Sequence, residues 1–186
     1  MAALVAPAAT LTKGERERAM SELHASRKML IDSVAGLSQT QLNWKSAPDR
    51  WSIAEVTEHL ALSEDFLFGL YKQAAASPAN PAKNSAVKDE DFIKSIRSRA
   101  EKAKAPEAAT PKKTFANTAA ALAAFKERRD ARITYVETTE DADLRHKLVP
   151  NFGMDAYQLF LMIAAHTERH CDQIAEVKAT AGYPAK

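Results

Sequence analysis

Apolar residues recur with the period of an α-helix in four long stretches, separated by polar segments that carry proline or glycine. In the first stretch Met20, Leu23, Leu30, Ile31 and Val34 share a face, and Gly36 ends the run. Thr12 with Glu15 three residues on has capping-box spacing, so this helix is expected to start at Thr12. The second stretch begins at Ser52, again with a glutamate three places later at Glu55. It turns Ile53, Val56, Leu60, Leu67 and Leu70 inward until Ser77-Pro78 stops it. The third is expected over residues 118–138, with Leu122, Phe125, Ile133 and Val136 inward. The fourth follows an N-cap at Asp155 and is terminated by Gly182 and Pro184.

The intervening segments read differently. Residues 37–50, with Trp44 and Pro48, form a connector whose tryptophan is expected to cover one end of the core. Residues 78–117 form a long insertion rich in Pro, Lys and Ala. A short helix is expected over residues 89–104, carrying Phe92, Ile93 and Ile96 before Pro106 and Pro111 break the pattern. Residues 139–154 read as a loop through Pro150 and Gly153. These elements describe an all-α fold, a four-helix bundle with a long connection between the second and third helices. A chain of 186 residues suits one domain, taken as 12–182, with residues 1–11 as a flexible arm.

Composition narrows the class. No apolar run approaches the roughly 20 residues that span a bilayer, so no membrane association is expected. One cysteine, Cys171, excludes an intrachain disulfide and is compatible with a reducing compartment. The first ten residues are Ala-rich but lack the positive start of a secretory signal, and a cytoplasmic location is expected. Ala6-Pro7-Ala8-Ala9 would instead fit the tail of a shortened signal, which would make the protein secreted or periplasmic. The net charge of +2 is uneven: residues 83–132 carry 13 Lys/Arg against 7 Asp/Glu. The basic residues are interleaved with acids and alanines and accompanied by few aromatics, so a solvated helix face is the reading and no nucleic-acid partner is expected.

Candidate chemistry lies in the histidines. In the fourth stretch Leu159, Ile163, His166, His170, Ile174 and Val177 follow at steps of 4, 3, 4, 4 and 3, which puts two imidazoles one above the other on the apolar stripe. His59 borders the stripe of the second helix, beside Val56 and Leu60 and one turn before Ser63. A lone H-x-x-x-H arises by chance in roughly one such chain in ten. Three histidines against apolar stripes in one small core point further, to a shared metal ion with an open coordination position. The opposing reading is three separate core histidines, each bonded to a carbonyl or side chain. His166-Thr167-Glu168-Arg169-His170 is not the H-E-x-x-H of zinc proteases: Glu168 lies about 200° around the helix from His166, so Glu168 and Arg169 are expected to make surface contacts. His24 beside Leu23, and His146 in a loop between Arg145 and Lys147, are weaker candidates. Cys171 reads as a small buried hydrophobe. Glu55 shares the face of His59 and could serve as a general base, but its capping role is the simpler account.

The run Asp49-Arg50-Trp51-Ser52-Ile53-Ala54-Glu55-Val56-Thr57-Glu58-His59-Leu60 resembles the DinB-like superfamily. So do Asp155-Ala156-Tyr157-Gln158 leading into Ala165-His166-Thr167-Glu168-Arg169-His170, and then Gln173-Ile174. The likeness covers roughly residues 12–180 and is least recognisable in the insertion. It implies an up-down-down-up order of helices and a divalent metal held at the positions of His59, His166 and His170. The metal implied is nickel or zinc first, with iron or manganese as the alternatives, and the implied assembly is a homodimer. Some members are S-transferases or isomerases that use a low-molecular-weight thiol. The expected function is therefore a metal-dependent hydrolase or thiol S-transferase acting on a small electrophile; the alternative is a non-catalytic bundle that binds a metal or a partner.

Overall fold

The computed structural model describes residues 9–101, 104–150 and 152–185. Among them are six α-helices and no strand. Four helices are long, α1 (Lys13–Val34), α3 (Ile53–Ala75), α5 (Thr118–Thr138) and α6 (Ala156–Ala179); two are short, α2 (Gln39–Asn43) and α4 (Asp89–Arg97).

The helix starts are set by local chemistry. Thr12 with Glu15, Ser52 with Glu55 and Asp155 with Gln158 each close a reciprocal capping box, which satisfies donors a helix N-terminus otherwise leaves free. A further box, Ser38 with Gln41, starts α2 inside the segment expected to be a plain connector; Leu42 buries itself on that turn. Trp44 follows and meets Tyr183 edge-on, with centroids 5.5 Å apart, against the core at this end. The short helix expected over 89–104 stops at Arg97; residues 102 and 103 lie outside the described residues.

Contacts along the long helices fix their relative directions. Tyr157 donates to the Glu15 carbonyl near the starts of α6 and α1, and Lys178 donates to the Ser33 carbonyl near their ends, so these two helices run the same way. Tyr71, late in α3, packs on Phe160, early in α6, while His59, early in α3, meets His170, late in α6; this pair runs oppositely. Arg128 donates to the Ala61 carbonyl, and further along Tyr71 and Tyr135 share Asp141, so α3 and α5 run together. Helix α1 packs on α5 and α6, and α3 packs on the same two.

Two apolar clusters fill the interior. One gathers Leu23, Tyr71, Tyr157 and Phe160; the other gathers Leu30, Ile53, Leu60, Phe125 and Ile174. Where they meet stands Arg129, fully buried on α5 over the ring of Phe125. Its guanidinium donates to Glu64 of α3 (3.0 Å), to Ser26 Oγ (2.6 Å) and the Leu23 carbonyl (3.1 Å) of α1, and to Thr167 Oγ1 (2.8 Å) and the Ile163 carbonyl (3.3 Å) of α6. One side chain thus joins all four long helices, and its charge is matched by a carboxylate as burial requires.

Three ties hold the remaining chain. Arg145 bonds Glu15, Asp89 and Asp155 while lying over the ring of Tyr157, which fastens α1 and α4 to the start of α6. Ala9 and Asp143 exchange hydrogen bonds of 3.0 and 2.8 Å, and Leu11 is buried. The last residues of the segment expected as an arm are therefore docked, and residues 1–8 of that arm lie outside the described residues. Arginines of residues 83–132 pair with acids outside that segment: Arg97 with Glu168, Arg99 with Glu176, and Arg128 and Arg132 with Asp65. No helix is long and apolar enough to cross a membrane among the described residues.

Candidate metal centre

Helices α3 and α6 bring His59, His166 and His170 together. Their nitrogens converge: the Nε2 atom of His59 lies 3.3 Å from that of His166 and 3.2 Å from that of His170. His59 is 2% exposed and His170 9%, with His166 half-buried beside them. The ring of Trp51, which leads into the α3 cap, lies 4.9 Å from that of His59 and 6.4 Å from that of His170. The capped start of α3 thus seals one side of the cluster with an apolar face.

The far nitrogens of two rings decide what the near ones can do. The Nδ1 of His59 is 2.7 Å from the carbonyl of Ala109, and a carbonyl only accepts, so Nδ1 carries the hydrogen. The Nδ1 of His170 is 2.8 Å from Gln173 Oε1 and is fixed the same way. In the neutral rings both Nε2 atoms then present bare lone pairs to each other at 3.2 Å, with no hydrogen between them. That arrangement is repulsive for the pair, and a cation among the three nitrogens would relieve it. Nitrogens bound at about 2.0–2.1 Å in a tetrahedral site lie about 3.3–3.4 Å apart; the two separations from His59 match that spacing, and all three ligand atoms lie within 4.8 Å of one another. The second nitrogen of a metal-ligating histidine is commonly committed to a carbonyl or similar acceptor, as His59 is here.

Burial pushes the pKa of all three imidazoles below the ordinary histidine value. For His59 the Ala109 carbonyl opposes the shift, for His166 the other two histidines reinforce it, and His170 is pushed down to about 3. The rings are therefore neutral near pH 7, the form that binds metal.

The insertion reaches this site. From the Arg145 tie, α4 lies along α6, where Arg169 donates to the carbonyls of Ile96 and Glu101. A 3-10 turn at Glu107–Ala109 then supplies the carbonyl on His59. The next residues are anchored by Glu58, whose Oε1 accepts the backbone N–H groups of Lys112 (2.9 Å) and Thr114 (2.8 Å). Glu168 and Arg169 depart from expectation for the same reason. Glu168 is 7% exposed and pairs with Arg97 at 3.0 Å, because α4 covers the face of α6 that would otherwise meet solvent.

The other candidates stand elsewhere. His24 is exposed on α1. His146 belongs to a half-buried turn at the start of α6, with Nδ1 3.3 Å from the Lys83 carbonyl. Cys171 is buried in the second apolar cluster, and burial pushes its thiol up to about 11, so it is a packed hydrophobe. Glu55 closes its cap and bonds Lys45. Ala109, Glu58 and Arg129 escaped the sequence reading. A backbone carbonyl leaves no mark in a sequence, and Glu58 reads as an ordinary helix acid. Arg129 had a signal, four places after Phe125 and four before Ile133 on the buried stripe of α5.

An all-helical fold with three neutral imidazoles converging on one point defines a histidine-cluster helical protein, a class whose centre could hold a divalent ion. The chain belongs to the DinB superfamily, whose family model matches residues 22–174. No curated protein and no solved structure is significantly similar to it.

Proposed function

We propose that this protein binds one divalent transition metal through the Nε2 atoms of His59, His166 and His170, and that the site serves a reaction of a small electrophile with water or a low-molecular-weight thiol. The observation that carries the metal is the pair of facing lone pairs on His59 and His170, each fixed by a committed Nδ1. Neutral nitrogen donors suit zinc or nickel, with iron as a further occupant. Such an ion would keep its full charge and lower the pKa of a water or thiol bound to it. The chain's own contribution is to keep the rings neutral by burial, to hold two of them by Ala109 and Gln173, and to shield one side with Trp51. The directions of the four long helices support an up-down-down-up bundle, in which the opposed ends of α3 and α6 form the site. Screening metal-loaded protein with glutathione, mycothiol and bacillithiol against a panel of electrophiles tests the reaction. Turnover that is lost in His166→Ala supports a catalytic centre. Metal binding without turnover on any pair favours the alternative, a non-catalytic metal-binding bundle.

A further inference from the structure

We infer that Ser63 is the residue that grips an anion at the open position of this centre, by donating its hydroxyl hydrogen to it; the inference rests on the three-histidine reading above. Ser63 lies one turn beyond His59 on α3, on the same face, and is 4% exposed. Its oxygen is 3.5 Å from Nε2 of His59 and makes no other hydrogen bond among the described residues.

The other buried mid-helix serine and threonine hydroxyls behave differently. Ser26 donates to the carbonyl of Glu22, Thr57 to that of Ile53 and Thr167 to that of Ile163, each four residues back along its own helix. Ser63 leaves that carbonyl unused and turns its oxygen toward the histidine cluster. If the lone pair of His59 Nε2 faces an ion, it cannot also accept from Ser63, and a buried hydroxyl is then left without a partner. A ligand held by the ion beside His59 supplies one. The hydroxyl can donate its hydrogen in a site whose rings are neutral and whose ion would be positive, and a hydrogen bond to a charged acceptor is the stronger kind, so it favours a small anion over a neutral molecule.

Azide binding to the cobalt(II)-loaded full-length protein, followed by its visible absorption, tests this without any assay of turnover. Ser63→Ala removes only the hydroxyl and favours the helix. It is expected to keep one cobalt per chain and to weaken azide binding about tenfold, the usual worth of a hydrogen bond to a charged partner. Thr57→Ala, which removes a hydroxyl committed to its own helix, is expected to bind azide as the wild type does. Unchanged azide affinity in Ser63→Ala overturns the inference, as does equal weakening in Thr57→Ala. Loss of cobalt from Ser63→Ala would make Ser63 a ligand of the ion and also overturn it. A wild type that takes cobalt but no azide removes the anion site alone, whereas a wild type that takes no cobalt removes the three-histidine reading itself.

Discussion

At the scale of single residues, the molecule is organised by groups that are buried and polar at once. Arg129 and Glu64 are 0% and 2% exposed, so removing one leaves the other charged and unpaired in the core. Glu64→Ala is expected to destabilise the fold by about 3–5 kcal/mol, read from urea unfolding, and a loss below about 1 kcal/mol would contradict the part given to Arg129. The histidines set a pH dependence. Their folded pKa values lie below the ordinary 6.5, so the unfolded chain takes up protons that the folded chain refuses. The stability of metal-free protein is therefore full above 6.5 and is lost as pH falls from there toward the value of about 3 for His170. The urea midpoint should drop between about pH 7 and pH 5, above the ordinary carboxylate range, and more shallowly in His170→Gln; a flat profile would show that the rings protonate freely in the folded state. His166 and His170 were legible because a helix turns residues four apart onto one face, and His59 because it borders the apolar stripe of another helix. Ala109 and Glu58 were not, because their contacts join segments about fifty residues apart through backbone groups.

At the scale of elements, the long helices were legible to within a residue or two, since each start is written in a capping box or an Asn cap and each interior in a stripe. Of the insertion only the short helix beginning at Asp89 was legible. The alanines, lysines and prolines around that helix form no periodic pattern, and the course of the segment is set by partners elsewhere: Asp155 and Glu15 through Arg145, Glu168 and Glu176 through Arg97 and Arg99, and Glu58 at the site. Glu58→Ala should release the 110–115 segment and with it the carbonyl on His59. The expected outcome is metal affinity reduced about tenfold or more, the usual cost of losing a group that orients a ligating histidine. Glu58→Gln, which keeps an acceptor, is expected to recover most of it. Competition with a chelator of known affinity measures both variants, and equal affinity of Glu58→Ala and wild type would show that the segment does not orient the ring.

At the scale of the whole molecule, part of the uneven charge in the sequence bridges the helices, since arginines of α4, of the residues just after it and of α5 pair with acids of α3 and α6, most of them partly exposed pairs that orient segments more than they stabilise the fold. Large apolar side chains exposed among the described residues are Met29 on α1, and Val87 and Phe152, whose segments Ser85 ties together. We expect the homodimer that the family resemblance implies. Light scattering at micromolar concentration should return twice the chain mass, and a monomer mass would contradict it. The account as a whole turns on one count, metal ions per chain after dialysis, measured by mass spectrometry on the wild type and on His59→Ala, His166→Ala and His170→Ala. About one ion in the wild type and a marked loss in each variant, with helical circular dichroism retained, is the predicted result. Metal content that is absent from the wild type, or unchanged in all three variants, would show that these histidines are core residues and no centre.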